Sequence, residues 1–168
     1  MYPLYLFLGG SMERLQFYHI SDKYIEYLHQ FDDKVPFNKN GKRPYIGIVL
    51  NINHTKYFAP LFSPKPQHAK YSDNPTYLRI GKDYGLIKFN LMLPVLDSEL
   101  TYLSFNDIED TKYRNLLIAQ NNFIQANTSK ILKRATKLYK WVTSDKKIFF
   151  ASISCNFKLL EEKSKLYK

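Results

Sequence analysis

Two runs of strand-forming residues face each other across a three-residue turn, and this pairing limits the fold more than any other feature. Tyr45 to Ile52 is rich in β-branched residues and reads as a strand. Asn53-His54-Thr55 reads as a turn, and Lys56 to Phe62 as the return strand, stopped by Pro64 and Pro66. An antiparallel hairpin of this length needs further strands or helices to cover it. The sequence offers both. Leu86 to Leu96 and Leu100 to Phe105 read as two more strands. Upstream, Ser21 can cap a short helix with Tyr24, Ile25, Leu28 and Phe31 on one side, ended by Phe31-Asp32-Asp33-Lys34-Val35-Pro36. Downstream, Tyr113, Leu116, Leu117, Phe123 and Ile124 keep helical spacing. Asn127 or Thr128 can cap a further helix to about Trp141, and Asn156 can cap a terminal one over residues 157–167. Strands first and helices after predict an α+β fold in one domain. Residues 64–84, with Pro64, Pro66 and Pro75, read as a long surface loop of the kind that often carries function. Met1 to Ser11 lacks the basic start of a secretory signal and is set aside as a leader, which leaves the domain at 12–168.

Charge narrows the partner. The chain of 168 residues carries a formal charge of +10, and its last 48 residues hold 11 basic and 3 acidic groups. On a helical wheel Lys130, Lys133, Arg134, Lys137 and Lys140 fall on one side, with Trp141 among them. Ile131, Leu132, Ala135, Leu138, Tyr139 and Val142 fall on the other. A localised basic stripe attracts polyanions, nucleic acid first and acidic membranes second. With 14 Tyr and 12 Phe beside the cations, unpaired RNA bases have rings to stack on. The ordinary alternative is a solvated helix face over an aromatic core.

Several chemistries have no foothold. A single cysteine, Cys155, excludes a disulfide scaffold and a multi-cysteine zinc site. His19, His29, His54 and His68 form no metal-ligand spacing, so no metal or other cofactor is expected. There is no phosphate-binding loop, no dinucleotide fingerprint and no nucleophile elbow. No stretch is apolar enough to cross a bilayer as a helix, and a reducing cytoplasmic setting is expected. One constellation remains. Phe62-Ser63-Pro64-Lys65 ends the return strand with a hydroxyl and an ammonium two residues apart, a pair able to grip one phosphate. Arg43, just before the first long strand, offers a second cation, and His68 lies close by in the loop.

An ordered set of segments then identifies a likeness. F-Y-H-I-S-D-K-Y-I-E-Y-L, F-D-D-K-V-P, R-P-Y-I-G-I-V-L, K-Y-F-A-P-L-F-S-P-K, G-L-I-K-F-N-L-M-L-P-V, N-N-F-I-Q-A-N and C-N-F-K-L-L-E-E-K occur in this order over about residues 17–163. Together they resemble the ToxN/AbiQ family of type III toxin–antitoxin endoribonucleases. The stretch between Thr143 and Cys155 matches less clearly. The resemblance implies a strongly twisted antiparallel sheet, related to the MazF/Kid toxins, surrounded by helices. It implies metal-independent cleavage, often in adenine-rich RNA, to 2′,3′-cyclic phosphate and 5′-OH ends. It implies an antitoxin that is a small repeat RNA, cut by the toxin into pseudoknot units that bind and inhibit it in a closed toxin–RNA assembly. Cellular or phage mRNA is then the substrate, and abortive phage infection the outcome. The implied active groove falls on Tyr24, Arg43, Ser63 and Lys65, with His68 as a further candidate. Arg43 stands where the family carries Lys, and Phe62 where related toxins carry a hydroxyl residue, so any role of Phe62 toward RNA rests on its backbone N–H. A non-catalytic basic RNA-binding protein is the alternative reading, and a generic basic protein or membrane-surface binder the third.

Overall fold

The computed structural model describes residues 14–71 and 74–168. The proposed leader, residues 1–11, lies outside the described residues. The chain begins with β1 (Gln16–Ile20) and α1 (Asp22–His29). Ser21 caps α1 as expected, its Oγ accepting from the Tyr24 N–H at 3.3 Å, and Tyr24, Ile25 and Leu28 face inward. Phe31 lies beyond the helix and is partly exposed. The predicted hairpin forms as β2 (Tyr45–Ile52) and β3 (Thr55–Phe62). Asn53 and His54 both adopt positive φ, the backbone a tight primed turn demands. β4 (Tyr77–Arg79), β5 (Leu86–Lys88), β6 (Leu93–Pro94) and β7 (Leu100–Tyr102) complete the sheet. α2 (Thr111–Ala126), α3 (Thr128–Val142), α4 (Ile148–Ser152) and α5 (Phe157–Leu166) follow.

Every recorded pairing is antiparallel, in the order β4-β5-β3-β2-β1-β7, with β6 also on β3. This is the α+β architecture expected. Three expectations change in detail. β1 and β4 were not read as strands. The single strand foreseen over Leu86–Leu96 is divided by a 3-10 turn at Phe89–Leu91 into β5 and β6. The junction of α2 and α3 lacks the foreseen side-chain cap: Asn127 donates back to the Phe123 carbonyl at 2.8 Å, and the Thr128 hydroxyl to those of Ile124 and Gln125. Asn156 does cap α5, accepting from the Leu159 N–H at 3.2 Å.

The core lies between the sheet and the helices. Phe58, Ala59 and Leu61 of β3 and Ile46, Val49 and Leu50 of β2 are buried with Ile131, Ala135 and Leu138 of α3 and Phe157 and Leu160 of α5. Gly47 is required in β2 because a Cβ there would collide with the Phe58 ring; the pairing register shifts just after it. Two tyrosine hydroxyls in this core share one acceptor. Tyr57 is fully buried and its hydroxyl donates to Glu161 Oε1 at 2.7 Å, and the Tyr139 hydroxyl donates to the same oxygen. The α5 carboxylate thus ties β3 to α3. Glu161→Leu leaves two tyrosine hydroxyls without this acceptor, each costing about 1–3 kcal/mol. Urea unfolding is expected to show a loss of roughly 2–4 kcal/mol for Glu161→Leu, with most of the stability kept in Glu161→Gln.

Candidate nucleic-acid interface and active groove

The pairing of β3, β5 and β4 sorts side chains onto two faces. Leu61 pairs with Ile87, which pairs with Leu78, and all three are buried in the core. Because side chains alternate, Phe62, Leu86 and Arg79, which also pair, point to the opposite face, with Lys88 and Tyr77 beside them. The end of β3 therefore opens onto a cationic sheet face at the point where Ser63 and Lys65 leave it. Both residues are exposed.

Gly85 fixes this exit. It has φ +110°, and a Cβ there would strike the Phe62 carbonyl oxygen. The 81–85 turn is held from below by Gln120 of α2, whose amide donates to the Tyr84 carbonyl at 2.7 Å. Lys65 then begins a 3-10 turn at Pro66–Lys70, which brings His68 back beneath it. The Lys65 backbone N–H donates to His68 Nδ1 at 3.3 Å. Nδ1 is thus the acceptor, and the proton of neutral His68 sits on Nε2. The ring is buried, packs on Tyr71 at 5.2 Å, and Tyr71 packs on Tyr77 of β4 at 5.5 Å. Pro64, Lys65, Pro66, His68, Lys82, Asp83 and Gly85 line a cavity of about 240 Å³.

Cations outnumber the one acidic residue, Asp83, around this cavity. Burial lowers the proton affinity of His68 below the ordinary histidine value, and the charges of Lys88, Lys65 and Arg79 lower it further. Burial also lowers that of Lys88, reinforced by Lys65 and Arg43, and that of Lys39, reinforced by Arg43 and Lys65. Among the described residues none of Lys39, Arg43, Lys65, Arg79 and Lys88 makes an ion pair. Five cations without an acidic partner form a receptor for a polyanion.

Two residues expected here do other work. Tyr24 is completely buried, its hydroxyl donates to the Pro94 carbonyl at 2.6 Å, and its ring meets Tyr167 edge-on. It ties α1 to β6 and presents nothing to RNA. Arg43 is also buried: Nε donates to the Phe37 carbonyl at 2.8 Å and one terminal nitrogen to Leu61 O at 3.3 Å. It anchors the loop before β2 to β3, and its guanidinium lies 4.2 Å from the Phe62 ring centroid. The Phe62 ring thus makes a cation contact that the sequence did not foresee. The same ring carries the Lys88 ammonium, also at 4.2 Å. Lys88, Arg79 and Lys39 were missed, since no local motif links them to Ser63-Pro64-Lys65 and the strand register alone joins Lys88 and Arg79 to it.

The basic stripe is real and borders a groove. Lys130, Lys133, Arg134 and Lys137 line a cavity of about 680 Å³ with Asn74, Pro75, Ala126, Asn127 and Ser129. Lys130, Lys133 and Lys137 are exposed, and Lys140 is half-buried. Arg134 is partly committed, donating to the Tyr77 carbonyl at 2.8 Å, which staples α3 to β4. Trp141 is less free than expected: it packs on Phe150 at 4.9 Å, and the Lys137 and Lys147 ammoniums lie over its ring. Among the described residues no group of three His, Cys, Asp or Glu side chains converges to hold a metal, and no helix is long and apolar enough to cross a membrane.

The model of the toxin ToxN family of type III toxin–antitoxin systems matches residues 16–165. Endoribonuclease ToxN of Pectobacterium atrosepticum is 37% identical over 160 residues, covering 89% of this chain and 91% of that protein. Endoribonuclease AbiQ of Lactococcus lactis subsp. lactis is 31% identical over 165 residues, covering 91% and 89%. The solved structure of AbiQ, a lactococcal anti-phage endoribonuclease, superposes with a TM-score of 0.83 at 29% identity over 91% of this chain and 97% of that one. A structure from work on selective toxin inhibition by a non-coding RNA pseudoknot gives 0.81 at 33% identity over 92% and 98%.

The field around His68 yields a direct measurement. In an NMR titration of the histidine ring signals, His68 is expected to protonate below the ordinary value of about 6.5. Lys65→Met and Lys88→Met, each removing a positive neighbour, should move its midpoint upward. Separately, Gly85→Ala must shift the Phe62–Pro64 backbone or strain its own φ. It is expected to lower stability by about 1–3 kcal/mol and cleavage of RNA by at least roughly tenfold, read by thermal melts and single-turnover assays.

Proposed function

The chain belongs to the ToxN family of type III toxin–antitoxin toxins and is an endoribonuclease, and from this premise we propose that Ser63, Lys65 and His68 form its catalytic centre. Their support is the placement of all three at one strand exit, on a face whose cations lack acidic partners. RNA supplies its own nucleophile, the 2′-OH. The site must align that oxygen with the scissile phosphorus and stabilise charge on the phosphoryl oxygens. The Lys65 ammonium and Ser63 hydroxyl are donors to those oxygens, and Nε2–H of neutral His68 is a third. The 2′-oxygen–phosphorus bond forms, the phosphorus–5′-oxygen bond breaks, the 2′ proton is lost and the 5′-oxygen gains one. The ends are a 2′,3′-cyclic phosphate and a 5′-OH. Arg43 is a positioning residue, holding the Phe37 loop against the site.

The α3 groove lined by Lys130, Lys133, Arg134 and Lys137 binds the antitoxin, a small repeat RNA whose pseudoknot units the toxin releases by cleavage and then retains as inhibitors in a closed assembly. Lys140 and Trp141 extend that surface. Substrates are adenine-rich cellular or phage messages, the setting is the cytoplasm, and the outcome is abortive infection.

Lys65→Ala and Ser63→Ala are expected to lower the single-turnover rate by about 10²–10³ while retaining antitoxin RNA, because both residues act mainly in the transition state. Parent rates in folded variants would refute the assignment. Cleavage should persist in excess EDTA; loss that magnesium restores, with RNA folding unchanged, would refute a metal-free reaction. Charge reversal at Lys133 and Lys137 should weaken antitoxin binding and flatten its salt dependence by roughly 0.7 per lost phosphate contact on a log–log plot.

A further inference from the structure

We propose that Lys88 is a catalytic phosphate ligand, the second cation that contacts the scissile group beside Lys65, in the place the sequence suggested for Arg43. The proposal rests on the reading of Ser63 and Lys65 as the catalytic centre.

Four observations carry it. The pairing of β5 with β3 and β4 places Lys88 on the Phe62 face and not on the core face of Ile87. Its ammonium is held 4.2 Å from the Phe62 ring centroid, which restricts a flexible side chain to one region. It is half-buried and makes no ion pair or hydrogen bond among the described residues, so its three N–H donors await an anion. Its charge reaches both Lys65 and His68, which places it within the same field. Arg43 is the weaker candidate because two of its nitrogens already donate to carbonyls and little of it is accessible. Phe62 unites the pair: its ring is anchored from Arg43 and in turn steadies Lys88. A compact ammonium on a fixed stem then meets a phosphoryl oxygen with little reorganisation.

The competing account is that Lys88 only clamps the Phe62 ring. Single-turnover cleavage of a short RNA with one site separates the two, together with the dissociation constant of its 2′-deoxy, uncleavable analogue and a thermal melt for each variant. Lys88→Met keeps the apolar stem and is expected to lose about 10²-fold in rate with analogue affinity changed by less than about threefold. Lys88→Arg should recover part of the rate, and Phe62→Leu should cost less than Lys88→Met. Parent rate in Lys88→Met overturns the proposal. So does a loss equalled by Phe62→Leu and no greater in the double variant, or a loss matched by weakened analogue binding. Should Lys88→Met not fold, Lys88→Gln supplies the same comparison, with folded Lys88→Arg as the positive control. The two failures are distinguishable. Loss in Lys65→Ala with parent rate in Lys88→Met sinks only the role of Lys88. Parent rate in Lys65→Ala sinks the site reading itself.

Discussion

Everything at the groove depends on how β5 docks against β3. The pairing of Leu61 with Ile87 and of Phe62 with Leu86 determines which side of the sheet each residue takes. A slip of one residue would bury Lys88 and expose Ile87, an outcome the hydrophobic core forbids. Gly85 enforces the same register at the strand's start, since only a residue without a Cβ tolerates the Phe62 carbonyl at that distance. The packing of an apolar interior thus aims Lys88 and Arg79 to the other side of the sheet.

Much of this architecture was legible in advance because it is local. The β2–β3 hairpin, the Ser21 and Asn156 caps and the two-sided character of α3 each follow from residues within a few positions of one another. β4 escaped notice because three residues between prolines and a glycine turn carry no readable period, and it gains its partners only from β5. α4 is similarly short, five residues in the stretch where the likeness to the family fades.

The groove was legible only in part, for the same reason. Ser63 and Lys65 are two residues apart, so a motif reveals them. Lys88 lies 23 positions beyond Lys65, and only the strand register brings them together. Tyr24 illustrates the opposite error. A tyrosine in a matching segment suggested a contact with RNA, yet the Pro94 carbonyl takes its hydroxyl. Sequence likeness carries residue type between proteins; which way a side chain is employed depends on partners many positions away.

The unpaired cations have one more consequence, for the lifetime of the molecule. Lys39 and Lys88 hold their protons less firmly than free lysine does, and burial together with mutual repulsion is the cause. A phosphodiester beside these lysines favours their charged form. Any anion that prefers the folded chain stabilises it by mass action. A phosphate that reaches these lysines therefore adds to the stability of the fold as well as occupying the groove.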